Sequence, residues 1–157
     1  MLTKFEELLA RDGILVYKTR GVSMEPMLRQ NRDLVIIQTP VCRLKKYDVA
    51  LYKRGNDYIL HRVIAVRPDH YQIRGDNTYR VESVPDCDVI GVLSGFQRKG
   101  RQFAVTDRSY RMYACMWHKI YPLRVGYVRL RRTAAWIARR LGILPLIKKI
   151  LRRGGAR

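Results

Sequence analysis

A serine hydroxyl becomes a useful nucleophile only where a neighbouring base takes its proton and donors await the developing oxyanion. Gly21-Val-Ser-Met-Glu-Pro-Met-Leu28 puts Ser23 between two predicted strands, where a polar loop would suffice. The stretch instead holds two methionines, with proline three residues after the serine. Gly21 and Pro26 would fix a tight turn that keeps the Ser23 hydroxyl and nearby N–H groups outward. The same residues also suit a hydrophobic turn in which Ser23 only satisfies a backbone group. His61 is the one histidine inside a well-patterned strand, alone among apolar Ile59, Val63 and Ala65 on its alternating face. A strand histidine serves structure as readily as catalysis. A third, acidic group would fix the His61 tautomer and stabilise its cation. Asp76, in Arg74-Gly-Asp-Asn77, and Glu82 are the downstream candidates, although Gly75-Asp76-Asn77 equally suits an ordinary turn. His70 falls in a turn and His118 in a basic tail, and both are expected to be solvated. This chemistry calls for no cofactor and no metal.

The elements that must position these groups read as strands. A short helix is expected to open the chain, with Thr3 and Glu6 as a capping box, Phe5, Leu8 and Leu9 on one side, and Gly13 as its stop. Strands are expected at Ile14–Thr19, Asp33–Gln38, Tyr47–Lys53, Asp57–Val66, Tyr71–Ile73, Val89–Leu93 and Gln102–Val105. Each is rich in β-branched and aromatic residues and bounded by Gly, Pro, Asn or Asp. Arg54-Gly-Asn56 reads as a short hairpin loop. The spacing suggests a mainly antiparallel, coiled or barrel-like sheet.

Taken in order, the motifs Ser23-Met-Glu-Pro-Met, Asp33-Leu-Val-Ile-Ile, Tyr47-Asp-Val-Ala-Leu-Tyr, His61-Arg-Val-Ile, Arg74-Gly-Asp-Asn and Asp88-Val-Ile-Gly resemble the successive boxes of signal peptidase I-like serine peptidases. The resemblance covers about residues 14–95. It implies the coiled antiparallel sheet of the LexA/signal peptidase-like type, Ser23 as nucleophile and His61 as general base. Histidine in place of the bacterial lysine resembles the archaeal and endoplasmic-reticulum branch, which adds an acidic residue. Both acidic positions of that branch have a counterpart here, so the third role falls on Asp76 or Glu82, and Glu82 stands where the branch usually has aspartate. The LexA-like repressors use a lysine base and cut their own upstream linker; only 22 residues precede Ser23 here. The expected activity is therefore a serine endopeptidase cutting a peptide or protein precursor in trans, with small side chains before the scissile bond.

Charge divides the 157 residues unevenly. The formal net charge is +19, yet all 13 acids lie between Glu6 and Asp107, and residues 108–157 carry 14 Lys+Arg with no acid. That break is expected to separate a catalytic β-domain, 1–107, from a polybasic amphipathic helical tail, 108–157. Within the tail a helix is expected over Tyr127–Leu141, with Leu130, Ala134, Ile137 and Leu141 on one stripe. Gly142 and Pro145 interrupt it, and a second short piece follows at Leu146–Leu151. No run approaches the roughly 18–20 apolar residues of a spanning helix. Glu6, Glu7, Arg11 and Asp12 argue against a secretory signal peptide. Cys42, Cys87 and Cys115 lack C-x-x-C spacing, so neither a disulfide scaffold nor a zinc ribbon is expected. These readings describe a cytoplasmic protein held peripherally at the inner membrane face through residues 127–153. The competing class is a catalytically idle β-domain whose tail binds nucleic acid or anionic lipid. The regular apolar stripe favours lipid.

Overall fold

The first helix, α1 (Lys4–Asp12), ends at Gly13, whose φ of 69° lets its N–H turn back to the Leu9 carbonyl at 2.9 Å. Leu9 is buried, with Phe5 and Leu8 packed beside it on the core. The computed structural model describes residues 4–140. The Thr3 side of the expected capping box, Leu141, Gly142, Pro145 and the piece at Leu146–Leu151 lie outside the described residues.

Eight strands follow: β1 (Ile14–Lys18), β2 (Leu34–Gln38), β3 (Val49–Arg54), β4 (Asp57–Val66), β5 (His70–Arg74), β6 (Glu82–Pro85), β7 (Val89–Arg98) and β8 (Arg101–Ala104). They form one sheet in the order β1-β2-β7-β3-β4-β5-β6, and every pairing is antiparallel. Along its other edge β7 first meets β3 and then β8. The sheet is thus mainly β and antiparallel, as its strand patterning indicates. β6 was not legible: a four-residue edge strand ending in proline shows too little alternation to stand out.

β3 is buried on both faces, and its alternating side chains enter two cores. Val49 and Leu51 join Leu15, Val35, Ile37, Leu93 and Phe96 on one side. Ala50 and Tyr52 join Val63, Tyr71, Ile73 and Val84 on the other.

Two helices follow β8: α2 (Arg108–Lys119) and α3 (Tyr121–Arg140). The chain divides into two compact units, Met1–His118 and Lys119–Arg157, so the charge break after Asp107 precedes the structural one. α2 belongs with the sheet because Tyr110, Tyr113, Ala114 and Trp117 recur at helical spacing and pack inward. Ala114 is buried, and Tyr110 and Tyr113 pack on the first core. Charge alone hides this, since the basic residues of α2 occupy its outer side. α3 starts at Tyr121, six residues before the expected Tyr127. Within α3, Leu123, Tyr127, Leu130 and Ile137 are exposed at intervals of four, three and seven residues, which places them on one side of the helix. Among the described residues no helix is long and apolar enough to cross a membrane.

Candidate active site

The loop between β1 and β2 is pinned at both ends before it presents Ser23. Asp33 is fully buried and accepts from the Arg29 N–H at 3.0 Å, from Arg32 at 2.6 and 2.8 Å, and from Arg98 at 3.2 and 3.3 Å. Burial alone would raise the Asp33 pKa; these donors outweigh it and hold the carboxyl at about 2. Arg98 also donates to the Met27 carbonyl. Met24, Met27 and Leu28 sink into the first core, which explains two methionines where a polar loop would serve. The Glu25–Pro26 bond is cis. Ser23 is left half-buried on the loop.

His61 comes from the neighbouring hairpin. The two-residue turn Gly55-Asn56, with Gly55 at φ 62°, fixes the register Arg54↔Asp57, Tyr52↔Ile59 and Ala50↔His61. Tyr52 therefore stands one pair along from His61 on the same face, and its hydroxyl lies 3.3 Å from His61 Nδ1. Glu82, on β6, brings Oε1 to 3.6 Å from the same nitrogen, close enough for charge but too long for a good hydrogen bond. Glu82 accepts from Arg54 Nη1 at 2.8 Å, and the Tyr52 hydroxyl helps hold its pKa down. In the tautomer that carries its proton on Nδ1, the Tyr52 oxygen accepts from that N–H. The Nε2 lone pair is then available as a base.

Nε2 faces the serine loop. The β4–β5 ladder pairs Arg62 with Arg74, and one further step sets Gly75 opposite His61. A Cβ on Gly75 would lie 2.7 Å from the Ser23 carbonyl oxygen and 2.9 Å from His61 Nε2. The two residues thus flank a single methyl-sized gap that only glycine leaves open. Beyond it the Asn77 N–H donates to the Ser23 carbonyl at 2.7 Å, and the Asn77 side chain donates to the Val22 carbonyl at 3.2 Å.

Of the two acidic candidates, the structure brings Glu82 to His61 and turns Asp76 elsewhere. Arg62 grips both Asp76 oxygens at 2.8 Å, and the Tyr113 hydroxyl adds a third donor at 3.1 Å. The Trp117 indole N–H donates to the Asp76 carbonyl at 2.9 Å. Asp76 is therefore a brace for the 75–77 turn, fastened from α2. His118 also departs from expectation: it is half-buried against the Tyr47 ring, with Nδ1 buried and without a hydrogen-bond partner among the described residues, so it is only partly solvated. His70 opens β5 and meets Asp69 at 2.7 Å.

Charge states suit the geometry. Burial pushes the His61 pKa below its ordinary value; Glu82 pulls it back up, and the Arg54 charge lowers it again. Glu82 stays ionised because Arg54 and Tyr52 outweigh the cost of its burial and hold its pKa down. Tyr52 is pushed up, first by burial and then by the Glu82 charge, so it remains a donor.

The sequence reading missed Tyr52, Arg54, Arg62 and the α2 aromatics. Tyr52 was within reach, since a two-residue turn at Gly55-Asn56 fixes which β3 side chain neighbours His61. The α2 contacts were not, because they join residues far apart in the chain. An open groove of about 1040 Å³ runs over Ser23 and His61 and is walled by Tyr17, Met24, Tyr58 and Leu60. No protein-family model matches this chain, and no curated protein does.

Gly75→Ala tests the gap. The added methyl must displace either the Ser23 backbone or the His61 ring, at a cost of about 1–3 kcal/mol in urea denaturation. The His61 imidazole resonances should move while the far-ultraviolet circular dichroism stays native. Unchanged His61 resonances would show that the gap is not as tight as described.

Proposed function

We propose that the protein is a serine endopeptidase with a sheet of the LexA/signal peptidase-like type, acting on a peptide or protein precursor in trans. The observation that carries this reading is the two-sided placement of His61: Nε2 beside the Ser23 loop, Nδ1 beside Tyr52 and Glu82. In the proposed reaction Ser23 Oγ adds to the scissile carbonyl as His61 Nε2 takes its proton. His61 then returns that proton to the departing amine, and water releases the acyl group by the same route. Glu82 stabilises the transient imidazolium through space, and Tyr52 fixes the tautomer. Asp76 holds the turn rather than the histidine.

For the second unit we propose an anionic membrane surface, contacted through residues 127–153. Supporting it are the exposed Leu123, Tyr127, Leu130 and Ile137 on α3, with Trp136 exposed nearby, in a segment without any acidic residue. Replacing Leu123, Tyr127 and Leu130 by Ser should abolish the salt-resistant part of flotation with phosphatidylserine vesicles and leave the salt-sensitive part. A full-length protein that shifts naked RNA but does not float with vesicles would favour the nucleic-acid reading instead.

Peptidase activity is tested by mass-spectrometric profiling of a peptide library with the wild type and with Ser23→Ala. Cleavage by the first and none by the second is expected. An unchanged pattern with Ser23→Ala would assign the cutting to another residue.

The pH dependence carries a sign. His61 must be neutral to accept the proton, so kcat/KM should rise with pH through a pKa below the ordinary 6.5. Glu82→Gln removes the charge that raises that pKa, and the ascending limb should move to lower pH. Arg54→Met removes a charge that lowers it, and the limb should move to higher pH. Shifts in the same direction for both variants would refute the assignment of the limb to His61.

A further inference from the structure

The groove over Ser23 and His61 is not electrically neutral. Lys18, Arg20, Arg54 and Arg80 line it against Asp57 and Glu82. Arg54 is spent on Glu82 at 2.8 Å. Lys18, Arg20 and Arg80 are all exposed, and none pairs with a described carboxylate. Elsewhere on the surface some cations are paired, as Lys53 is with Glu6 at 3.2 Å, and others, such as Arg101 and Arg108, pair with no described carboxylate; what sets these three apart is that they line the groove. Their places in the chain give the excess a direction. Arg20 stands three residues before Ser23, and Arg80 two residues before Glu82. Free cations thus accompany both segments that deliver the reacting groups, and they do so in a groove that takes up the substrate.

Resting on the peptidase reading, we infer that this site selects acidic peptides, with Asp or Glu close to the scissile bond. A cation in a concave wall between low-dielectric faces acts on an incoming charge more strongly than one on a convex surface. A basic peptide would face three unpaired cations there against the one carboxylate, Asp57, that no ion pair among the described residues takes up, and like-charge juxtaposition is the effective part of discrimination. The opposite end of the preference is apolar. Phe5, Tyr17 and Tyr58 line the same groove, with ring centroids 5.3 Å apart from Phe5 to each tyrosine. A substrate that offers carboxylates to Arg20 and Arg80 and one large apolar side chain to these rings satisfies both walls.

A protein of net charge +19 attracts any polyanion, so the test must separate the groove from the bulk field. Two double variants achieve this, because they change the net charge equally. Arg20→Glu with Arg80→Glu reverses the groove, while Arg101→Glu with Arg108→Glu reverses exposed cations that do not line it. With the full-length enzyme and a randomised peptide library at physiological salt, the wild type should enrich Asp and Glu near the cut bond. The groove variant should lose about tenfold or more in kcat/KM on the selected acidic peptide, and the remote variant should stay near the wild type. Equal losses for both variants, or cleavage without acidic enrichment, would overturn the inference while leaving the peptidase reading intact. Fluorescence anisotropy of the same acidic peptide with Ser23→Ala, with and without the groove reversal, judges the charge selection even if nothing is cut. Binding that is indifferent to Arg20 and Arg80 there would also overturn it. Groove-dependent binding by a protein that cleaves no peptide would uphold the selection and sink the peptidase reading alone.

Discussion

A buried guanidinium and a buried carboxylate cost several kcal/mol each in lost hydration unless nearly every donor and acceptor is met. Arg62 and Asp76 meet that condition with side chains only 2% and 3% exposed. Arg62 also donates to the Tyr47 carbonyl, the Tyr110 hydroxyl and the Met27 sulfur, and its plane lies near the Tyr110 and Tyr113 rings. Burial opposes the Arg62 charge, but Asp76 outweighs it, and the guanidinium is raised further from titration. One ion pair therefore ties together β4, the turn after β5, the Ser23 loop and α2. Because Arg62 follows His61 and Asp76 follows Gly75, fixing this pair also fixes the two positions that frame the serine. Either partner alone would be an uncompensated charge in the interior. The pair therefore acts as a single unit of structure.

The electrostatics around His61 follow a different pattern. Here the groups are not fully satisfied pairwise but share a triangle of Tyr52, Glu82 and the imidazole, closed from outside by Arg54. Burial holds the His61 pKa down, while Glu82 at 3.6 Å from Nδ1 is close enough to favour the cation. Arg54 prevents that carboxylate from neutralising itself by taking up a proton. The arrangement depends on a salt bridge whose arginine is half exposed, so its strength varies with solvent in a way the Arg62–Asp76 pair does not.

Local patterning carried much of this into the sequence. The strands that hold Ser23, His61 and the two cores alternate cleanly or run apolar, and the Gly55 turn has a two-residue length that sets register. Ser23, His61 and Glu82 were each identifiable by type. Which of Asp76 and Glu82 lies beside His61 was not, because Asp76 is held by Arg62, a residue whose neighbour is the one that drew attention. Nor did charge reveal α2. A basic helix with three aromatic residues on one side reads as a tail until the acidic and polar partners of those aromatics are known. β6 carries Glu82 yet is too short and too polar for periodicity to register.

The position of β7 has a consequence for how the molecule comes into being. β1 and β2 form one ribbon and β3 to β6 a second, and within the sheet these two meet only where β7 lies between them. Ser23 belongs to the first ribbon, His61 and Glu82 to the second. Gly91 allows β7 to seat against Ile37, where an added Cβ would clash with the Ile37 methyl. In a chain leaving the ribosome the sheet cannot join the strands that carry serine and histidine until residues 89–98 have been made and inserted, and only loop contacts such as Asn77 to the Ser23 carbonyl can link them before that. Such late, non-local pairing is slow compared with hairpin formation. The sheet that sets the Ser23 loop beside the His61 strand is therefore complete only once β7 is in place.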